Sequence, residues 1–285
     1  MRRTLLFIPA VAQKFLDKAH ERGADAIIVD LEDAVAPDMK AAARDMLPKV
    51  VASLTARNLE VWVRVNPTPE LLPADIEAAV IPGVTGIMVP KVEHAETITM
   101  IDADITALEH RRGIARNTIG LCATLETPIG ILNTNAIAAT PRLKALALGC
   151  EDLAAAMGVA PLHIFLRGPG QAVALAAAAY GLESWGVAGS IANHSNTTRF
   201  TREVRLSRAL GITAILCIHP VQVAIARDIY KPTADELAWA ADVVAAYEKS
   251  KGEGIGSITV RGQMIDEPIY QRAKRMLECV GSQSI

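Results

Sequence analysis

The stretch Ile27-Ile28-Val29-Asp30-Leu31-Glu32-Asp33 constrains the fold more than any other: an apolar run that stops abruptly among carboxylates. In a chain of mixed composition such a run reads as a parallel strand buried on both faces, with its acids at the C-terminal end, where α/β barrels display their polar groups. The pattern recurs. Val61-Trp62-Val63 leads to Arg64 and Asn66, Gly86-Ile87-Met88-Val89-Pro90 to Lys91, and Leu121-Cys122-Ala123-Thr124-Leu125 to Glu126. Ala145-Leu146-Ala147-Leu148-Gly149 leads to Glu151 and Asp152, and Ile215-Leu216-Cys217-Ile218 to His219.

Strand-like runs alternate with stretches of helical period in eight pairs. The expected strands are Leu5 to Pro9, Ala26 to Leu31, Val61 to Val65, Ile87 to Val89, Gly120 to Leu125, Ala145 to Leu148, Val187 to Ile191 and Ala214 to Ile218. Alternating strands and helices give either an open doubly wound sheet or a closed barrel, and eight repeats favour closure into a TIM (β/α)8 barrel. The barrel is expected over residues 1–231. Residues 232–285 form a C-terminal helical lid, with a helix from Pro232 to Lys249, a glycine-rich joint Gly252-Glu253-Gly254-Ile255-Gly256, and a second helix from Pro268 to Leu277. This tail is too short for a core of its own. Its glycine joint suits a lid, and equally a surface turn.

Composition narrows the function classes. With 51% hydrophobic but only 4% aromatic residues, the core is built from Ala, Val, Ile and Leu. Lys+Arg 29 against Asp+Glu 31, with no basic cluster along a helix face, argues against nucleic acid. No apolar run reaches the ~20 residues that span a bilayer, so no membrane partner is expected. Cys122, Cys150, Cys217 and Cys279 form no CxxC pair and read as buried thiols in a reducing cytoplasm.

The polar strand ends suggest chemistry. Glu126 and Asp152 follow adjacent strands, and two carboxylates leaving positions open for water and substrate suit Mg²⁺. Capping of the following helices is the alternative use for each. Arg64 offers a fork of donors to a substrate carboxylate or a developing enolate oxygen, or an ion pair to Glu32 or Asp33. Lys91 can neutralise Glu126 or form a Schiff base, and the surrounding acids favour a supporting electrostatic role. His219 is either a structural histidine or an acid–base group, and Gln222 a rim or substrate contact. No run of small residues after the seventh or eighth strand offers a phosphate cup.

Eight ordered motifs then carry a resemblance: Arg3 to Pro9, Asp30-Leu31-Glu32-Asp33-Ala34-Val35, Arg64-Val65-Asn66, Val89-Pro90-Lys91, Glu126-Thr127-Pro128, Gly149-Cys150-Glu151-Asp152-Leu153, Cys217-Ile218-His219-Pro220 and Gly262-Gln263-Met264-Ile265-Asp266. Together they resemble the citrate lyase β-subunit family, which includes malyl-CoA and citramalyl-CoA lyases. The resemblance implies Mg²⁺ held by Glu126 and Asp152, Arg64 at the substrate, and homotrimers or hexamers in which the C-terminal segment brings Asp266 to a neighbour's site. Glu32, Asp33 and Lys91 join Arg64 and Asp266 as candidate catalytic residues; Asp30, Leu153 and His219 join Arg64 and Glu126 as candidate substrate contacts. The implied reaction is Claisen-type cleavage of an acyl-CoA thioester to acetyl-CoA and a 2-oxo acid, pyruvate or glyoxylate. A citryl-acyl-carrier subunit within a larger complex, and a non-catalytic binding barrel, are the competing readings. The chain departs from the family pattern at Ala10 to Lys14 and between Ser184 and Arg199.

Overall fold

The computed structural model describes residues 2–252 and 256–281. Glu253, Gly254 and Ile255, the middle of the expected glycine joint, lie outside the described residues. The strands are β1 (Thr4–Pro9), β2 (Ala26–Asp30), β3 (Glu60–Arg64), β4 (Val84–Val89), β5 (Gly120–Leu125), β6 (Leu143–Leu148), β7 (Glu183–Trp185) and β8 (Ile215–Cys217). They pair in the order β7-β6-β5-β4-β3-β2-β1-β8, always parallel. A bridge between Trp185 and Ala214 joins the two ends, which closes the sheet into the expected (β/α)8 barrel. Around it run α1 (Gln13–Leu16), α2 (Lys40–Thr55), α3 (Leu72–Ala79), α4 (Ala95–Arg111), α5 (Pro128–Leu132), α6 (Thr134–Ala138), α7 (Cys150–Ala156), α8 (His163–Ala179), α9 (Thr197–Leu210) and α10 (Pro220–Tyr230).

The inside of the barrel is filled by Leu5, Ala26, Ile28, Trp62, Met88, Cys122, Ala145, Ala147, Trp185 and neighbours. Strand residues alternate between faces, so the residue two positions after an inward one also points inward. Ile28 is therefore followed by Asp30, Trp62 by Arg64, and Cys122 by Thr124 and Glu126: the polar groups stand directly above the apolar filling. At the N-terminal end of the same interior Trp62 and Trp185 meet edge to face, centroids 4.8 Å apart. Gly86 makes room for this pair, since a Cβ there would overlap the Trp62 ring.

Strand β7 corrects the expectation of Val187 to Ile191. The ladder uses Glu183 to Trp185, and Val187 and Ala188 are buried in irregular backbone instead. The reason is competition for hydrogen bonds: the Ala188 N–H is taken by the Ser207 hydroxyl at 2.9 Å rather than by a neighbouring strand.

The chain divides into two compact units, with the second beginning at Tyr230. The second unit contains α11 (Ala234–Gly252), an antiparallel hairpin of β9 (Ile258–Val260) and β10 (Gln263–Ile265), and α12 (Glu267–Gly281). The expectation that this tail holds no core of its own is corrected: Ala240, Val243, Tyr247, Ile265, Tyr270 and Ala273 are buried together, with Tyr247 and Tyr270 stacked at 4.8 Å. The two rings contribute much of the apolar area, with Val243, Ile265 and the partly buried Trp239 packed around them.

Candidate active site

At the C-terminal ends of the barrel strands opens a cavity of about 840 Å³. Asp30, Asp33, Arg64, Glu126, Asp152 and His219 reach it from five different strand ends. Glu32 and Lys91 do not line it but lie in the same electrostatic field.

Asp30 and Arg64 are register partners on β2 and β3. Their side chains form a two-pronged pair, Nε to Oδ1 and Nη2 to Oδ2, each at 2.7 Å. Arg64 Nη1 also donates to Asp33 at 3.2 Å and lies 2.8 Å from Glu32 Oε2. The last approach is close but off the hydrogen-bonding direction, so Oε2 of Glu32 is buried without a hydrogen-bond partner. The guanidinium stacks over Phe7 at 4.7 Å. Arg64 thus serves the rim as an ion-pair hub and still faces the cavity.

Glu126, 6% exposed, follows β5 directly. Its Oε1 accepts the backbone N–H of Lys91 at 2.8 Å, in a turn where Lys91 has φ of 53°. The other side of the carboxyl lies against Gly149, where any Cβ would fall on the carboxyl group itself. Burial pushes the Glu126 carboxyl up to about 8, with the charges of Asp152 and Glu32 adding to the shift. Burial likewise raises Glu32 to about 7; Arg64 opposes this, and Asp33 and Asp30 reinforce it. Asp152, in the first turn of α7, lies 3.6 Å from Lys91 Nζ, and both side chains are nearly half exposed. Burial lowers the Lys91 ammonium, but Asp152, Glu32, Glu126 and Asp33 outweigh it and the net shift is upward. A lysine held protonated is no nucleophile, so Schiff-base chemistry is set aside.

Asp30, Glu32, Asp33, Glu126 and Asp152 outnumber the cations near them, Arg64, Lys91 and, lining the same cavity, Arg22, and burial raises the Glu32 and Glu126 carboxyls above their ordinary range. A divalent ion fits that deficit. Among the described residues no three His, Cys, Asp or Glu side chains are gathered to hold an ion, so an ion bound here would take part of its shell from water and substrate. Glu126, packed against Gly149, and Asp152, at the open rim, are the acids that could hold it.

His219 lines the cavity and stacks on His194, centroids 4.3 Å apart. Its Nδ1 accepts the Val221 N–H at 3.2 Å, so in the neutral ring Nε2 carries the proton. Burial first, then His194 and Arg22, lower its pKa. Leu153 is corrected from a substrate contact to a core residue: it points inward from α7, 2% exposed, and does not line the cavity. Asp266 belongs to the second unit, where its Oδ1 accepts the Ile269 N–H at 3.3 Å and caps α12. Asn66, paired with Asp75 and the Leu31 carbonyl, is structural. Phe15 and Arg22 line the cavity without having been singled out in the sequence, since neither follows a strand.

Comparison with known proteins identifies the family. Residues 3–220 match the family model HpcH/HpaI aldolase/citrate lyase. The chain is 32% identical over 282 residues to the citrate lyase subunit beta of Haemophilus influenzae, covering 98% of this chain and 96% of that protein. It is also 32% identical over 303 residues to the L-malyl-CoA/beta-methylmalyl-CoA lyase of Rhodobacter capsulatus, covering 96% and 93%. Among solved structures, the protein CitE from Mycobacterium tuberculosis, in complex with magnesium, acetoacetate and coenzyme A, superposes with a TM-score of 0.76 at 28% identity, covering 98% of each chain. The chain belongs to the HpcH/HpaI aldolase/citrate lyase family and is a carbon–carbon lyase.

Proposed function

We propose that this lyase is Mg²⁺-dependent and cleaves a 3-hydroxy-3-carboxyacyl thioester of the citramalyl-CoA or malyl-CoA type, releasing acetyl-CoA and a 2-oxo acid. The observation that carries the proposal is the excess of carboxylate around Arg64, with Glu126 and Asp152 opening onto the same cavity. It is supported by the magnesium, acetoacetate and coenzyme A bound in the CitE structure and by the pyruvate bound in another structure of that protein. Mg²⁺, when bound, would supply Lewis-acid neutralisation of the hydroxyl and adjacent carboxylate of the substrate.

The chain's own groups do the rest. Arg64, locked by Asp30, presents a preorganised positive charge to the oxygen that becomes an enolate, at no reorganisation cost during reaction. Cleavage moves one proton from the carbinol oxygen to the carbon left on the thioester. Asp33, mostly exposed at the mouth, is assigned the first transfer and Asp266 the second. Glu32 and Lys91 contribute to the charge field around Arg64 and Glu126, and His219 contacts the substrate at the rim. The chain is proposed to work as a homotrimer or hexamer.

Glu126→Gln and Asp152→Asn are expected to leave circular dichroism unchanged and to reduce turnover at least about a thousandfold, the scale of losing a principal electrostatic contributor. Asp266→Ala is expected to lower the rate while Mg²⁺ binding persists. Unchanged turnover in the first two variants would place the metal elsewhere. The second reading is a citryl-acyl-carrier subunit, favoured by the likeness to the Haemophilus influenzae protein. Turnover of free coenzyme A thioesters by the purified chain decides against it.

A further inference from the structure

Part of the cavity wall comes from residues 187–196, a segment with neither strand nor helix. Its middle is fastened by groups from other elements. Gln222, fully buried in α10, accepts the Ile218 N–H at 2.8 Å and the His219 N–H at 3.1 Å, and donates to the Ile191 carbonyl at 2.8 Å. Glu151 accepts the Ser190 hydroxyl at 2.5 Å and the Ala192 N–H at 3.3 Å. Since Glu151 immediately precedes Asp152 and holds Ser190 and Ala192 on either side of Ile191, the position of Ile191 is tied to that of a proposed metal ligand.

The surface so fixed is apolar: Val187, Ile191, Ala192, Leu216 and Ile218 line the cavity together. Of its backbone donors, that of Ala192 is engaged by Glu151 and those of Ile218 and His219 by Gln222. Arg64, the cavity's deeper cation, is held by Asp30. A carboxylate lodged against the side chains of Val187, Ile191 and Ile218 would lose its water to apolar surface, whereas a methyl group would gain apolar contact; the donors that line the same cavity are Arg22 and the His219 Nε2–H.

We propose that Ile191, with Val187 and Ile218, seats the third substituent of the carbinol carbon and selects a short alkyl group over a carboxymethyl group, with Gln222 and Glu151 as positioning residues. The product 2-oxo acid is then of the pyruvate kind rather than a dicarboxylate such as oxaloacetate. This inference rests on the lyase reading above.

The test measures binding of pyruvate, glyoxylate and oxaloacetate to the purified full chain with Mg²⁺ by calorimetry, beside relative kcat/KM for the corresponding coenzyme A thioesters. Pyruvate is expected to bind about tenfold tighter than glyoxylate, the usual worth of one methyl group in an apolar pocket, and tighter still than oxaloacetate. Ile191→Lys is expected to move the pyruvate-to-oxaloacetate ratio at least about tenfold toward oxaloacetate. Gln222→Ala is expected to erase the preference for methyl over hydrogen in kcat/KM, whereas a merely structural loss would scale both thioesters down alike. Should Gln222→Ala fail to fold, Ile191→Lys at its half-buried site still decides. Thioester cleavage with ratios unmoved by Ile191→Lys would overturn the seat and leave the lyase reading standing. A shifted 2-oxo acid ratio without cleavage of any thioester would do the reverse, and no 2-oxo acid binding at all would overturn both.

Discussion

At position 149 a hydrogen atom occupies the place where every other side chain would begin, and the Glu126 carboxyl fills the space beyond it. Gly149→Ala is therefore expected to displace that carboxyl, weaken Mg²⁺ affinity about tenfold or more and lower turnover, at a cost in stability of about 1–3 kcal/mol for overpacking. Titrating Mg²⁺ against the variant checks this; unaltered affinity would mean that Glu126 does not hold the ion. The glycine was visible in the sequence only as the end of an apolar run, because its purpose depends on a residue 23 positions earlier that the fold brings beside it. Asp30, Arg64 and Glu126 were legible for the opposite reason. Each is inward by the two-residue alternation of its own strand, a purely local property. The Arg64–Asp30 pairing was not legible, since it depends on the register between β2 and β3.

Among the elements, β7 shows where local reading stops. Glu183-Ser184-Trp185 carries too little apolar character to announce a strand, and the apolar Val187-Ala188 that follows is buried without joining the ladder. What holds β7 is long-range. Trp185 and Trp62 each donate an indole N–H to a glutamate two residues before, Glu183 and Glu60, and Arg2 ties both glutamates together at 2.6 and 2.5 Å. Arg2→Ala is expected to cost about 2 kcal/mol, the scale of charge-assisted hydrogen bonds, and to loosen the packing of both indoles. Denaturant titration followed by tryptophan fluorescence measures both effects. A native-like spectrum with unchanged midpoint would show that the barrel closes without this clasp. The tail illustrates the same limit: its helices were legible by period, but its small core depends on Tyr247 and Tyr270 meeting across the sequence.

For the whole molecule, the acids at the mouth set a pH dependence. Glu32 and Glu126 rise from 4.5 to about 7 and about 8 on folding, so between these values the folded chain binds more protons than the unfolded one. By linkage, their contribution is fully present below about pH 4.5 and is lost as pH rises through 7 and 8. The metal-free protein is thus expected to melt at lower temperature at pH 8.5 than at pH 6. Mg²⁺ competes with those protons and is expected to raise the midpoint more at the higher pH. Thermal melts in EDTA and in Mg²⁺ across this range test the account, and equal midpoint gains at both pH values would contradict it.

The two sides of the rim differ in how they are held. Asp30 and Arg64 clasp one another from adjacent strands, so that flank inherits the stiffness of the β-ladder itself. The flank made by residues 187–196 hangs on side-chain fastenings. Inherited change in what the enzyme accepts should therefore accumulate on the second flank, where a fastening can be exchanged without unpicking a strand, while the first stays as it is across relatives with different appetites.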